Sequence, residues 1–385
     1  MRKLFRLLTF SILLSCSPQN KESTFYLDQE AEYPILLSEV LEKDFWELFK
    51  LESAIELKLS QDYFISTIYR LKVHQNEYFA LDETLGNLIR FDSNGKPLNR
   101  IGKIGEGPEE LPNFSDFGID ERGNIVIGSG SGRKASIYSK EGEFLSSIKF
   151  KDQLDQLAVG NNHIFASLTY FNQLNKNLAI YNLEGDTLRT YFPYSSDVFP
   201  ILLKNISGHL TTNFSGSILF NEPASAKIFE INEELEIKPK FQFISDTELW
   251  EENDRHNLNG FFETLGAAKL THLRRFYEES DRYLFFNLNK KQDQVVRYVI
   301  DPRIGFFDKK TGKAYLSKKS ESLVFTEGPL VADRDNFTLS IPKQELKKLV
   351  DNDPNWSGIK NFLEFTTIET KEYDSPILLK FSVKE

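Results

Sequence analysis

Few side chains in this sequence are spaced to do chemistry. Arg274 and Arg275 lie in the run His272-Leu273-Arg274-Arg275-Phe276-Tyr277, and Arg70 follows Ile68-Tyr69. Both stretches read as innermost strands, in which alternate residues point to one side. A guanidinium there can hold a carboxylate or sulfate through two parallel hydrogen bonds. That makes Arg70, His272, Arg274 and Arg275 a candidate anion-binding group. The competing reading pairs these arginines with the chain's own acidic side chains. A second candidate is the loop Ile101-Gly102-Lys103-Ile104-Gly105-Glu106-Gly107-Pro108-Glu109-Glu110. Glycine-rich loops can cradle an anion with backbone N–H groups, commonly ahead of a helix N-terminus. Here Pro112-Asn113-Phe114 leads into a strand instead. Gly102, Gly105, Gly107 and Pro108 therefore read as a structural crossover whose glycines take positive φ.

Other chemistries leave no pattern. The histidines are His74, His163, His209, His256 and His272, and no two have the i, i+4 spacing of a helical zinc site. No Gly-x-Ser-x-Gly elbow is present. Glu109-Glu110 and Glu278-Glu279 are paired carboxylates, which without geometry cannot be ranked as acid and base. Asp333-Arg334-Asp335-Asn336 lacks the rest of a calcium loop and reads as a turn. The sequence thus names no catalytic residue and no cofactor, although calcium held by carbonyl and carboxylate oxygens would leave little trace. The formal net charge is −10. An acidic chain of this kind lacks the basic footprint that nucleic acid or anionic lipid would need.

The elements that must position these residues are mainly strands. Ile89-Arg90-Phe91-Asp92-Ser93-Asn94-Gly95, Ser136-Ile137-Tyr138-Ser139-Lys140-Glu141-Gly142 and Ala179-Ile180-Tyr181-Asn182-Leu183-Glu184-Gly185 are three copies of one unit. Each is a strand end closed by a polar turn, after which a strand resumes. A fourth copy, Lys227 to Asn232, keeps the aromatic as Phe229 and loses the glycine. Successive aromatics recur at roughly the period of a propeller blade. Upstream of each copy lies another hairpin, so each unit is a four-stranded meander. A fifth unit is expected from Leu273 to Ile300, with Tyr283–Leu288 and Val295–Ile300 among its strands. A sixth begins at Leu330, with an outer pair at Phe365–Ile368 and Ile377–Val383. A short helix is expected at Lys343–Val350 and a partly helical insertion at about 246–269, which would cover one end of the barrel. The fold class is all-β, a six-bladed β-propeller. A strand near Ile55–Leu59 would complete the last blade and remove its exposed edges. The rival is a pair of β-sandwiches, which gives no reason for a hairpin to repeat at this period.

The N-terminus carries its own signal. Arg2, Lys3 and Arg6 precede an apolar run, Leu7–Leu14, too short to span a bilayer. The run ends Leu13-Leu14-Ser15-Cys16, which resembles the lipobox of bacterial lipoproteins. The resemblance implies cleavage after residue 15 and lipid attached to Cys16, the only cysteine in the chain. It also implies a membrane-anchored protein of the cell envelope. Ser17, where an Asp would retain a lipoprotein at the inner membrane, points to the outer membrane. Residues 16–45 read as a lipid-anchored tether and 46–385 as the propeller. A lipidated Cys16 leaves no thiol for a disulfide, so burial must hold the domain.

The whole chain resembles the six-bladed β-propeller lipoproteins of Bacteroidetes, related to NHL-repeat and TolB-like propellers. The resemblance rests on Phe91-Asp92-Ser93-Asn94-Gly95-Lys96 and the glycine-rich loop after it, where Glu109 replaces the Gly of a Gly-Pro-Gly-Glu segment. It rests also on Asp374-Ser375-Pro376-Ile377-Leu378, with Ser375 in place of Asn. It implies fold and location and brings no established activity. Three functions remain open: a binding or scaffold module for a peptide, glycan or envelope-protein partner; a lactonase-like or lyase-like enzyme with a channel metal; and a structural envelope component. The absence of a histidine or cysteine cluster in the sequence favours the first and third.

Overall fold

A computed structural model describes residues 25–168, 172–194, 209–222, 225–244, 272–289, 302–318, 330–362 and 374–385. The chain enters through a strap. A short helix α1 (Phe25–Asp28) leads to β1 (Tyr33–Leu36), β2 (Leu41–Lys43), a second short helix α2 (Phe45–Leu48) and β3 (Phe49–Glu56). Blade 1 follows as β4 (Arg70–His74), β5 (Glu77–Asp82), β6 (Asn87–Phe91) and β7 (Pro97–Ile101). Blade 2 is β8 (Asp116–Ile119), β9 (Ile125–Ser129), β10 (Lys134–Tyr138) and β11 (Phe144–Lys149). Blade 3 is β12 (Leu154–Gly160), β13 (His163–Leu168), β14 (Lys176–Tyr181) and β15 (Thr187–Pro193). Blade 4 is β16 (His209–Thr212), β17 (Ile218–Asn221), β18 (Lys227–Ile231) and β19 (Ile237–Ile244). Blade 5 is β20 (His272–Glu279), β21 (Tyr283–Asn289), β22 (Pro302–Asp308) and β23 (Lys313–Ser317). Blade 6 takes β24 (Val331–Asp333), β25 (Asn336–Pro342) and β26 (Pro376–Val383), and its fourth strand is β3. The molecule is a six-bladed β-propeller of antiparallel four-stranded blades.

The repeated aromatics have a structural reason. Phe91, Tyr138, Tyr181 and Phe229 each sit where the pairing of a blade's third and fourth strands slips by one residue. Phe381 holds the equivalent place in blade 6. Such a bulge bends and twists the strand, and each aromatic fills the space so made, at most 3% exposed. Apolar side chains meet between neighbouring blades in six clusters, one for each seam.

The glycines of the repeat have two jobs. Gly95, Gly142 and Gly185 take φ of 74°, 93° and 93°, the left-handed region that closes the turn. They also let the turn press on the blade before it. A Cβ at Gly95 would stand 2.0 Å from the Glu56 carbonyl oxygen, one at Gly142 2.9 Å from that of Arg100, and one at Gly185 2.8 Å from that of Lys149. In blade 4 the turn keeps the same backbone bonds, Asn232 N–H to Glu236 O and Leu235 N–H to Asn232 O. Leu235 there adopts φ 61° in place of glycine.

Blades 4 and 5 cover their outer edges differently. β1 pairs in parallel with β19, and β2 in parallel with β23. Residues 16–45, read from sequence as tether, are therefore packed on the propeller from Phe25 onward. Parallel addition to an edge leaves no turn signature, which is why sequence did not show it. The closing strand lies at Phe49–Glu56, upstream of the expected position, and β26 is the third strand of its blade rather than part of an outer pair. The third and fourth strands of blade 5 are Pro302–Asp308 and Lys313–Ser317, which replace the expected end of that unit at Ile300. Val295–Ile300, Phe365–Ile368 and the insertion at 246–269 lie outside the described residues. The helix expected at Lys343–Val350 is present as α3 (Lys343–Asn352), with Leu346 and Val350 buried.

The seam at Gly95 gives a direct test. Gly95→Ala adds a methyl against the Glu56 carbonyl and strains a left-handed residue. It should lower unfolding stability by at least about 2 kcal/mol, measured by urea titration. A change near zero would show that the seam yields at no cost.

Candidate functional site

The innermost strands of blades 1 to 5 bring a polar group together at the propeller axis. Arg70, at the start of β4, is 6% exposed. Its Nε and Nη2 donate to the two carboxylate oxygens of Asp116 on β8, each at 3.0 Å. Nη2 also donates to Gln156 Oε1 on β12 at 3.2 Å. The same Gln156 oxygen accepts the Leu210 N–H of β16 at 2.9 Å. Asp116 Oδ2 accepts the Leu157 N–H at 3.1 Å. One arginine thus joins blades 1, 2 and 3, and the glutamine passes the connection to blade 4. Blade 4 joins blade 5 through Thr211 Oγ1, which donates to Glu278 at 3.1 and 3.2 Å. Tyr277 Oη donates to the His209 carbonyl at 2.9 Å. The anion that Arg70 was expected to hold is the protein's own Asp116.

Burial sets the charge states around this group. It pushes Glu278 up to about 7, against the pull of Arg70 and Lys72. Lys72, two residues along β4 from Arg70, is pushed down by burial and by the neighbouring guanidinium. His209 is held well below the usual imidazole range by burial and by Arg70 and Lys72, so it is neutral. A second ionic group ties the turn ends of blades 4 and 5. Lys240 Nζ donates to Glu230 Oε1 at 2.6 Å and to Glu279 Oε2 at 2.9 Å. Lys309 Nζ reaches Glu279 Oε1 at 2.8 Å, and Asn213 Nδ2 donates to Glu279 Oε2 at 2.9 Å.

The glycine-rich loop also binds an anion, and that anion too is internal. The Glu110 carboxylate accepts the Gly107 N–H at 3.0 Å and pairs with Lys103 Nζ at 2.5 Å. Lys103 and the loop N–H groups hold it below the usual carboxylate range. Only Gly102 of the three takes a positive φ, at 74°. Gly105 leaves room for the captured carboxylate, because a Cβ there would stand 1.9 Å from Glu110 Oε2 and push that side chain aside. This corrects the expectation that all three glycines serve left-handed backbone. The loop is clamped to blade 2 by Tyr138 Oη, which donates to Glu109 O at 2.7 Å, and by Lys134 Nζ, which donates to Pro108 O at 2.7 Å. Glu109 has no left-handed backbone. Beside the loop lies an open groove of about 410 Å³, lined among others by Arg100, Lys103, Pro108, Tyr138 and Phe144.

His272, Arg274 and Arg275 lie on β20, the innermost strand of blade 5, and their side chains are outside the described residues. Cys16 lies outside them as well. Asp333–Asn336 forms the turn between β24 and β25, with Arg334 at φ 52°. Sequence reading missed Asp116 and Gln156, and named Glu278 only as half of a paired carboxylate. Asp116 begins a strand in which the other side chains are apolar or absent, and a charge in such a place was the available signal. No described helix is long and apolar enough to cross a membrane.

With the geometry in place, comparison defines the class. Residues 38–382 match the model of the family described as Domain of unknown function (DUF4934). The chain belongs to that family. Among solved structures it is similar to a Bacteroides fragilis protein assigned to the exported class. That pair shares 17% identity over 92% of this chain and 99% of the other, with a TM-score of 0.69. It is also similar to a member of the DUF4221 family from Bacteroides vulgatus, at 11% identity over 88% of this chain and 99% of the other, with a TM-score of 0.54. At these identities the likeness is one of fold. No curated protein matches.

Two outcomes follow from the axial group. Arg70→Met leaves Asp116 buried without its cation and should cost about 3–5 kcal/mol of stability. Adding Asp116→Leu should restore much of that loss, and a double mutant as unstable as the single one would refute the lock. Glu278 has a folded pKa above its unfolded value, so its stabilising contribution is present below the ordinary carboxylate range and is lost as pH rises through about 7. Glu278→Gln should remove that part of the slope, measured by urea titrations on either side of neutrality. An unchanged slope would assign it to other groups.

Proposed function

We propose that this chain is an exported lipoprotein, held to the outer membrane through Cys16, whose propeller binds an extended peptide segment of an envelope partner. The observation that carries the binding site is the groove between blades 1 and 2. It joins the half-buried ring of Phe144, backed by the buried Tyr138, to charged groups at Arg100 and Lys103. It also runs into the outer strand β11. Phe150 N–H donates inward to Arg133 O, so by the alternation of an antiparallel ladder Ser147 turns its N–H and C=O outward. Leu145 on the same strand is 50% exposed. Outward backbone groups beside an apolar and aromatic surface suit an extended polypeptide, which supplies matching backbone groups and side chains for the groove. The axial charges, in contrast, are engaged with one another and hold blades together.

The anchor and the groove are tested separately. Cys16→Ser should abolish incorporation of labelled palmitate and move the protein out of the membrane fraction. Retention of both would remove the anchor. The soluble domain should bind a subset of an array of linear peptides, and Phe144→Asp should reduce that binding at least about tenfold, the loss expected when an aromatic anchor is truncated. Binding to a glycan array alone, or equal peptide binding by the variant, would overturn the peptide reading.

A further inference from the structure

We infer that the propeller hangs from the membrane by one side of its rim, the seam of blades 3 and 4, with the rim at blades 6 and 1 turned away. This rests on lipid attachment at Cys16. The first described residues are not loose. Tyr26 is 7% exposed. Its ring meets Tyr191 and Phe192 of blade 3 and Phe229 of blade 4, at centroid distances of 5.6, 5.4 and 6.1 Å. Its hydroxyl accepts the Phe192 N–H at 2.7 Å. Lys227 Nζ on β18 then donates to the Leu27 and Gln29 carbonyls at 2.8 and 3.3 Å. Downstream, Ile35 is buried against blade 4, and Glu42 pairs with Arg303 of blade 5 at 2.8 Å. The strap therefore fixes the chain to the rim from Tyr26 onward.

The length left between lipid and body is short. Nine residue steps separate Cys16 from Phe25, which span at most about 30 Å even when fully extended. A domain of this size has a radius of gyration of about 20 Å, and so a diameter of about 50 Å. Turning the opposite rim to the bilayer would need the entry point to stand about 50 Å from the membrane, farther than the leash allows. The turn Asp92–Gly95 marks that opposite rim, because Gly95 packs on Glu56 at the seam of blades 6 and 1. The groove between blades 1 and 2 lies two seams round from the entry point and stands clear of the membrane.

The test uses the full mature chain. Its single thiol, Cys16, is coupled to a maleimide lipid in phosphatidylcholine vesicles that carry a rhodamine lipid. Donor dyes are placed through p-azidophenylalanine at Leu188, exposed on the rim of blade 3, or at Asn94 in the blade 1 turn. Energy transfer should be at least about twofold higher from position 188 than from 94, as the difference between leash and body length requires. An insertion of roughly twenty Gly and Ser residues between Thr24 and Phe25 lengthens the leash beyond the body and should bring the two values together. Tyr26→Ala, which removes the ring contacts with Tyr191, Phe192 and Phe229 that seat the first residues of the strap, should act in the same direction. Equal transfer from both positions in the unaltered chain, or a difference that survives the insertion, would overturn the proposal. Because the lipid is attached chemically, this result does not depend on whether cells acylate Cys16, which palmitate labelling decides.

Discussion

Ring closure is the constraint on which the rest of the structure depends. A propeller leaves two blades with open faces unless its ends meet, and here they meet in one sheet. Phe49–Glu56 pairs with Pro376–Val383 along its length, so the first and last regular strands of the ring are neighbours. Closure brings five innermost strands to a common axis, where Arg70 can reach carboxylate and amide groups supplied by two other blades. It also completes the seam in which Gly95 lies against Glu56. The Gly95 contact with Glu56 and the bulge at Phe381 both depend on the sixth blade being finished by β3.

The outer edges follow a simple alternation of covers. Where the turn of the next blade presses on an outer strand, as at Gly95, Gly142 and Gly185, that turn shields the strand's end. Blade 6 has no such turn to lend to blade 5, since its last strand arrives from the far end of the chain. The turn of blade 5, at Gly312, would leave a Cβ with nothing within 4 Å. Those two places, the outer edges of blades 4 and 5, are where β1 and β2 lie. The strap thus fills the positions that the repeat leaves uncovered.

The repeat was legible in the sequence because its chemistry is local. An Asp, Ser or Asn opening a turn, a glycine three residues later and an aromatic just before are set by backbone bonds within five residues. The fold class followed from their period. The elements that depart from the repeat were legible only in part. Parallel edge strands carry no turn signal, and β22 begins at Pro302, beyond the stretch that looked most strand-like. At the candidate site the glycine loop and Arg70 were visible, the loop as a crossover between blades and the arginine with an internal carboxylate as one of its two readings. The identity of the anion was not visible, because Asp116 lies 46 residues from Arg70 and the pairing exists only after two blades stack. Glu110 was nearer, yet its capture depends on how the loop folds back over Gly105 and Gly107.

The meeting of the two ends also orders events in time. The strand at residues 49–56 is synthesised long before its partner at 376–383. For that whole interval β3, and with it the strap, has apolar residues such as Phe45, Leu48 and Phe49 and no finished sheet to bury them. Pairings this distant in sequence form slowly, and exposed strand edges invite association in the meantime. A chain already fastened at its N-terminus would pass that interval beside a bilayer, in two dimensions and among neighbours of its own kind. The same closure that gives the folded propeller its rigidity therefore makes the nascent chain the state in most need of a holding chaperone.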